Sequence, residues 1–337
     1  MHPRERVIWF RRLALAGALL AACVVVLGAW VRLTDAGLGC PDWPGCYGHP
    51  YPEAAHAGAF HFAKAWHEMI HRYFASGLVV IILGLFIWAV RFRDDRAQPL
   101  IAALLLLPLV CVQAALGALT VTLLLKPLIV TSHLLGGLTT FALLWWLSLT
   151  PATRELTESE RGLRLFAGLG LLALILQVAL GGWTSSNYAA VACPDLPTCQ
   201  RSWWPHMDFR DAFVLWRGLG VDYEGGVLSN PARVAIHFTH RLGAVAAGSI
   251  LIALGALTAY RAKSRRLRMA GLLLVLGVLL QITIGVAMVR FGVPLPIATL
   301  HNAGALFLVL CMVTLLRALW PVPAIGMVTL HGVDPPR

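Results

Sequence analysis

Four histidines lie inside apolar stretches of the chain, at positions 71, 133, 240 and 301. An ionisable side chain is costly to place in a bilayer, so such residues commonly serve a function. Each lies about six to eight residues from one end of its stretch, a common depth of about 10 Å at a rise of about 1.5 Å per residue. Imidazoles at one depth on facing helices have the geometry of axial ligands to a heme iron. A helix–helix hydrogen bond or a proton relay remains open for each of them.

The elements that carry these histidines are predicted to be membrane-spanning helices. Of the 337 residues, 58% are hydrophobic and only 13% are charged, too few to cover a soluble domain. Eight apolar segments are long enough to cross a bilayer, and the first lacks a convincing signal-peptide cleavage site. The predicted spans are 13–32, 64–90, 99–122, 127–149, 162–183, 232–260, 269–290 and 295–319. The sequence therefore predicts an all-α integral membrane protein.

Basic residues predict the orientation of these spans. The net charge is +11, but no basic run interleaved with aromatic residues lies on a polar segment, which argues against nucleic acid as a partner. With eight spans, the basic loops all fall on one side, which the positive-inside rule makes cytoplasmic. Both termini are then cytoplasmic, and the long loops 33–63 and 184–231 face outward. The basic residues are Arg4, Arg6, Arg11, Arg12, Arg91, Arg93, Arg96, Arg154, Arg161, Arg164, Arg261, Lys263, Arg265, Arg266 and Arg268.

An internal repeat divides the chain into two halves. The stretch LGAWVRLTDAGLGCPDWPGC (27–46) matches LGGWTSSNYAAVACPDLPTC (180–199), and IVTSHLLGGL (129–138) matches IATLHNAGAL (297–306). We predict an N-terminal half, 1–155, and a C-terminal half, 156–337, each a bundle of four helices. Because four spans is an even number, the halves insert the same way up, related by a pseudo-twofold axis along the membrane normal.

Three charged residues accompany the histidines. Arg72 and Arg241 directly follow His71 and His240, and we predict that they pair with heme propionates. Arginines that extend towards the membrane surface would leave the same pattern. Glu68 lies one helical turn before His71, where a carboxylate could take part in proton transfer or stabilise a developing cation. A glutamate that merely favours the helix dipole is the alternative.

Two cysteine pairs lie in the outer loops. Cys40 and Cys46 have the same spacing as Cys193 and Cys199, and Pro-Asp follows the first cysteine of each pair. Two disulfides, Cys40–Cys46 and Cys193–Cys199, are the simplest assignment in an oxidising compartment. The pairs could be structural or redox-active, although the spacing differs from the C-x-x-C of thioredoxin-like sites.

Three glutamines recur within the spans. Gln113, Gln177 and Gln281 each precede a glycine by four residues. This spacing predicts hydrogen bonds between closely packed helices.

The ordered set of motifs resembles the heme A synthase family. The motifs are VRLTDAGLGCPDWPGC, EMIHR, SHLLGG, HFTHRLGA and LHNAGA, and the resemblance covers roughly residues 10–320. It implies eight helices in two four-helix halves. It also implies the oxidation of the C8 methyl of heme O to a formyl group through successive hydroxylations, which gives heme A for cytochrome oxidase.

The same resemblance implies roles for individual residues. Glu68, His71 and His133 match the half that holds the substrate heme, with the two histidines as iron ligands and Glu68 as the catalytic residue. His240 and His301 match the iron ligands of a heme b cofactor in the other half. The cysteine pairs occur in only part of the family. His237, which takes the place of Glu68 in the second half, matches no family role.

Two other function classes remain open at this stage. One is a non-catalytic b-type cytochrome with bis-histidine ligation; the other is an extracytoplasmic disulfide oxidoreductase. A glutamate in only one half favours the enzyme. The expected partners are heme O and the enzyme that produces it, an electron acceptor or donor and the lipid bilayer, with a homo-oligomer possible. The expected location is the bacterial inner membrane.

Overall fold

The computed structural model describes residues 2–93, 100–150 and 156–320, and these residues fold into helices joined by loops. We number the helices α1 to α10 in chain order. Their bounds are α1 Pro3–Leu33, α2 Ala54–Arg91, α3 Leu100–Thr122, α4 Pro127–Ser148, α5 Glu158–Arg161, α6 Leu163–Ser186, α7 Phe209–Ala212, α8 Asn230–Arg261, α9 Arg265–Arg290 and α10 Leu295–Leu319.

The eight predicted spans are confirmed. Within the described ranges, eight helical segments are long and apolar enough to cross a membrane, with α5 and α6 forming one of them. The main difference lies at the helix starts. Helix α1 begins at Pro3 because the His2 side chain accepts the Arg4 backbone N–H and Glu5 accepts the His2 backbone N–H. The apolar pattern cannot reveal this polar first stretch, so the prediction began at residue 13.

Helix α2 extends well beyond the bilayer. Its 38 residues correspond to a length of about 57 Å, whereas the hydrocarbon core is about 30 Å thick. Its first turns therefore belong to the outer loop region. Arg96 and Arg154, which contributed to the predicted orientation, lie outside the described residues, and the orientation itself stays a prediction.

The spans pack as two rings of four. Helix α1 contacts α2 and α4, and α3 closes the first ring by contacting the same two helices. In the second ring, α6 and α9 each contact both α8 and α10. The rings meet where α4 contacts α6, α10 contacts α1, and α4 contacts α10, with a hydrogen bond from Trp145 Nε1 to Thr314 Oγ1 of 2.9 Å. A twofold axis that exchanges α1 with α6 and α4 with α10 would turn the α4–α6 contact into the α10–α1 contact. The axis itself stays a prediction.

Each ring is densely packed at the end away from its histidines. The first core includes Phe10, Ile82, Leu85, Leu106 and Leu144. The second includes Leu163, Leu254, Leu267, Leu274 and Leu315. These side chains are almost fully buried, so the tightly packed core lies at the end of each ring opposite the histidines.

The longer outer loop of the second half reaches over the first half. The Tyr223 backbone N–H donates to the Leu124 carbonyl in the α3–α4 turn at 3.1 Å. Lys126, in the same turn, is almost fully buried; its ammonium donates to the Gly218 carbonyl and lies 3.7 Å from the ring centroid of Trp216. These contacts join the two halves at the end of the molecule that carries the long loops.

Candidate heme sites

Two of the predicted ligand histidines face each other in the first half. His71 projects from α2 and His133 from α4, with ring centroids 6.5 Å apart and ring planes at 79°. Two metal–nitrogen bonds have a combined length of about 4 Å, at the bond length of about 2.0–2.1 Å known for zinc. The distance from each ring centroid to its metal-bound nitrogen accounts for most of the remaining separation. The separation therefore suits a single metal atom between the imidazoles.

These histidines line a cavity of about 520 Å³. Its volume lies within the range of about 300–1,000 Å³ usual for small-molecule and cofactor sites. The lining is mostly apolar and comes from α1, α2, α3 and α4, with Gly181, Ser185 and Asn302 contributed by the second half. Glu68, Arg72 and Arg32 add polar groups. An apolar cavity with few polar groups suits an amphipathic ring such as heme.

Each of the four histidines packs against a glycine of a neighbouring helix. A methyl group at Gly28 would lie 3.0 Å from Cε1 of His71, and one at Gly117 would lie 3.4 Å from Cε1 of His133. In the second half, methyl groups at Gly181 and Gly285 would each lie 3.2 Å from Cε1 of His240 and His301 respectively. The glycines let the imidazoles approach the neighbouring helix, and they occur at equivalent places in both halves.

Glu68 is buried and joins the first-half site to the disulfide loop. Its carboxylate accepts the Cys40 backbone N–H at 2.9 Å and pairs with Arg72 at 2.5 Å. Arg72 in turn donates to the backbone carbonyls of Asp42 and Gly45, at 2.9 and 2.6 Å. Arg72 therefore ties the loop to α2, and its predicted pairing with a propionate stays a prediction.

The second half repeats this arrangement with His237 in place of Glu68. His237 Nδ1 lies 3.4 Å from the Cys193 backbone nitrogen, and His237 Nε2 lies 3.3 Å from Arg241 Nε; a neutral imidazole accepts one of these two N–H groups. Arg241 also donates to the carbonyls of Cys193, Asp195 and Thr198, at 2.7 to 2.9 Å. Sequence reasoning assigned His237 no role. The equal spacing of Glu68–His71 and His237–His240 indicates that His237 is equivalent to Glu68.

Both predicted disulfides are confirmed. Cys40 bonds to Cys46 and Cys193 bonds to Cys199, and all four residues are almost fully buried. Buried sulfurs are poorly accessible to a partner thiolate, which favours a structural role over a redox role.

An aspartate organises each disulfide loop. Asp42 accepts the backbone N–H groups of Tyr47 and Gly48, at 2.6 and 2.8 Å. Asp195 accepts the Thr198 hydroxyl and the Arg201 backbone N–H, and these hydrogen bonds hold the pKa of Asp195 below its usual value. The two loops therefore close in the same way.

A cluster of three side chains connects the halves beside the cavity. Arg32 donates to the Ser185 carbonyl at 2.6 Å and to Asp35 at 3.2 Å, and its guanidinium lies 4.0 Å from the ring centroid of Tyr188. Tyr188 donates to Asp35 at 2.7 Å. Burial raises the pKa of the Tyr188 phenol, so it stays protonated as a donor.

The residues around His71 and His133 fit a heme. Buried Nδ1 atoms of His71, His133 and His301 make no hydrogen bond within the described residues, and buried polar atoms normally have partners. In the same part of the chain, no three His, Cys, Asp or Glu residues are grouped as a metal site would require. His71 and His133, without a third protein ligand among the described residues, would hold a heme iron between them.

The fold and the site together define a class of protein: an eight-span helical membrane protein with an opposed pair of histidines, His71 and His133, at the wall of a cavity. The sequence profile of the family described as cytochrome oxidase assembly protein matches residues 11–313. The chain therefore belongs to this family.

Relatives of known name extend the comparison. The chain is 42% identical to the heme A synthase of Shewanella oneidensis, over 93% of this chain and 96% of that protein. It is 25% identical to the heme A synthase of Halalkalibacterium halodurans, over 91% and 97% of the two chains. The similarity thus covers both halves.

Proposed function

We propose that the protein is a heme A synthase, an oxidoreductase that converts the C8 methyl of heme O to a formyl group by successive hydroxylations. Family membership and the 42% identical relative support this activity. The structural observation that carries the proposal is the opposed pair His71 and His133, at the wall of a cavity that also contains Glu68.

In this proposal the first half, 1–155, binds heme O. His71 and His133 hold the iron of the substrate, and the apolar cavity wall contacts the macrocycle. Two lining residues, Ser76 of α2 and Ala114 of α3, are also exposed. They support an opening towards the lipid between these helices, through which the farnesyl tail of heme O extends.

Glu68 is the proposed catalytic residue. The methyl carbon has no acidic proton, and each hydroxylation removes two electrons from it; the second gives a geminal diol that loses water to form the aldehyde. The Glu68 carboxylate stabilises positive charge that develops at this carbon, or accepts the proton of an attacking water. Arg72 and the Cys40 N–H hold the carboxylate in place. The buried surroundings limit access of bulk water.

The second half, 156–337, is proposed to hold a heme b cofactor between His240 and His301. When bound there, the heme would supply electron transfer from the substrate site to an electron acceptor, which takes up the two electrons that each hydroxylation removes. Gly181, which packs against His240, and Asn302, which follows His301, both line the first-half cavity. The two proposed sites are therefore neighbours across the interface between the halves.

The proposed setting is the inner membrane of a bacterium, with both termini in the cytoplasm and both disulfide loops outside. An enzyme that makes heme O supplies the substrate. The eight spans and the bacterial relatives support the membrane location.

Co-expression with an enzyme that produces heme O tests the function. Hemes extracted from the purified protein are identified by mass, with and without the heme O supply. We expect heme A only when heme O is supplied, together with heme b in both cases. Recovery of heme O and heme b without heme A would contradict the proposal and favour a non-catalytic cytochrome.

A further inference from the structure

The arginine of the interface cluster is also part of the cavity wall. Arg32, in the last turn of α1, lines the cavity and donates to the Ser185 carbonyl at 2.6 Å and to Asp35 at 3.2 Å. An arginine carries five N–H donors in a planar fork. Two of them are engaged in these bonds, and the other three make no hydrogen bond within the described residues. The guanidinium therefore has donors available for a ligand in the cavity.

Arg32 lies one helical turn from the glycine that packs against His71. Gly28 and Arg32 are four residues apart, so they share one face of α1 and are separated by about 6 Å along it. A methyl group at Gly28 would lie 3.0 Å from His71 Cε1, so this face of α1 meets the imidazole. Glu68 lies one turn from His71 on α2, towards the same loop that follows Arg32. The cavity is therefore polar at the end that carries this loop.

The two arginines of the cavity wall differ in how their charge is balanced. Arg72 pairs with Glu68, whose side chain is only 6% exposed, and its Nη1 also donates to three backbone carbonyls of the disulfide loop. The partner of Arg32 is Asp35, whose side chain is 45% exposed. Water screens such an exposed carboxylate. Arg32 therefore has more of its charge available to an anion in the cavity.

The repeat places this cation in the first half alone. Ser185 aligns with Arg32, and Tyr188 aligns with Asp35. The hydrogen bonds from Arg32 to Ser185 and from Tyr188 to Asp35 thus join equivalent positions of the two halves. Ser185 carries no charge, so the cluster contains a single cation. That cation lines the cavity that contains His71 and His133.

A carboxylate that enters this cavity needs a cationic partner. The lining is mostly apolar, and an ionised carboxylate without a partner is costly to bury. Glu68 already contributes one carboxylate to the wall, and its charge is matched by Arg72. Among the described residues that line the cavity, Arg32 is the remaining cation.

We propose that Arg32 binds a propionate carboxylate of the substrate heme in the first-half cavity. The inference rests on the proposed function, because it assumes that heme O occupies this cavity. An arginine fork pairs with a carboxylate through two parallel hydrogen bonds, which fix direction as well as distance. In heme O, one propionate and the C8 methyl are substituents of the same pyrrole ring. An anchor on that propionate therefore fixes the position of the methyl that is oxidised.

Binding of two porphyrins that differ only in whether their propionates can ionise tests the proposal. The holoprotein, purified without a heme O supply, is titrated with iron mesoporphyrin IX and with its dimethyl ester. The bis-histidine absorption spectrum of the added porphyrin is followed, since mesoporphyrin absorbs at shorter wavelengths than heme b. His71→Ala should abolish this signal and so assigns it to the first half.

The substitution Arg32→Gln should affect only the free acid. We expect it to bind iron mesoporphyrin IX about 10–100-fold more weakly than wild type, the usual value of a hydrogen bond to a charged group, and to bind the ester as wild type does. Tyr188→Phe is the matched control; it keeps Arg32 and the neighbouring ring, so both affinities should stay at the wild-type level. If Arg32→Gln does not accumulate, Arg32→Lys is measured instead. Lysine keeps the charge without the fork, so we expect a smaller loss, again for the free acid alone.

Three results would overturn the proposal. They are equal affinities of the free acid and the ester in wild type, wild-type affinities for both porphyrins in Arg32→Gln, and equal weakening of both porphyrins in that variant. The last would show that Arg32 has a structural role only. Heme A formation on co-expression would leave the proposed function standing in each case. An unchanged porphyrin spectrum in His71→Ala would instead contradict the first-half ligand pair, and with it the proposed function.

Discussion

The two halves fasten their disulfide loops to a helix by the same scheme and differ in one residue. In the first half, a carboxylate from Glu68 accepts the first cysteine's N–H and pairs with Arg72. In the second half, the imidazole of His237 takes the same place beside Arg241. Either side chain can anchor a loop, but only the glutamate adds a carboxylate to the wall of the cavity. The role of anchoring the loop is therefore separable from a chemical role. The presence of Glu68 in the first half predicts that this half carries out the reaction.

The largest expected effect comes from neutralising this carboxylate. Glu68→Gln keeps an oxygen for the Cys40 N–H but removes the charge. We expect heme A formation to fall by about 10²–10⁴-fold, the usual contribution of a general acid or base. Heme A is quantified by mass after co-expression with a source of heme O, and bound heme b serves as the check on folding.

His237→Gln is the matched control for Glu68→Gln. It keeps an acceptor for the Cys193 N–H, so heme A formation should stay near the wild-type level. Equal losses in the two variants would show that the anchors act alike and that Glu68 has no chemical role.

The two arginines should differ in their effect on stability. Arg72→Leu leaves the Glu68 carboxylate buried without a counter-charge, which typically costs about 3–5 kcal/mol. Arg241→Leu removes hydrogen bonds to neutral groups and should cost less, about 1.5–3 kcal/mol. Unfolding of the purified variants in detergent measures the two losses of stability. A larger loss of stability in Arg241→Leu than in Arg72→Leu would contradict the expectation.

Removal of either disulfide should have a smaller effect. Each bond closes a small loop with a sequence separation of six residues, for which the chain-entropy account gives about 2 kcal/mol. Cys40→Ala with Cys46→Ala should also lower heme A formation partially, because the loop orients Glu68. The double variant at Cys193 and Cys199 should leave heme A formation nearly intact. Complete loss of activity in the first double variant would instead support a redox role for that disulfide.

The smallest effects are expected at the glycines beside the imidazoles. Gly28→Ala places a methyl group 3.0 Å from His71 Cε1, and Gly181→Ala places one 3.2 Å from His240 Cε1, so each ring must shift by a few tenths of an ångström. The absorption spectrum should change for the substrate heme in the first variant and for heme b in the second. Crossed effects would contradict the assignment of hemes to halves.

The sequence predicted the spans, the opposed His71 and His133 and the disulfides because each leaves a local pattern. Long apolar runs define spans, and the repeat aligned Cys40 with Cys193 and His71 with His240. The contacts of Arg72 and Arg241 were not predicted, because they depend on how a loop folds back over a helix end.

Gln177 and Gln281 donate hydrogen bonds to the backbone carbonyls of His240 and His301, at 3.1 and 3.0 Å. The sequence predicted only that these glutamines join closely packed helices. Their partners depend on helix rotation and on the space beside Gly243 and Gly304, which no periodicity encodes. The hydrogen bond from Lys126 to the Gly218 carbonyl in the loop of the second half was likewise not predicted, because a long-range loop contact leaves no characteristic spacing in the sequence.

The central claim is that the two halves hold different hemes, one as substrate and one as cofactor. His71→Ala and His240→Ala, purified in parallel from cells supplied with heme O, test it most directly by the masses of their extracted hemes. We predict that His71→Ala keeps heme b but loses heme O and heme A, and that His240→Ala loses heme b. Loss of the same heme from both variants would contradict the claim.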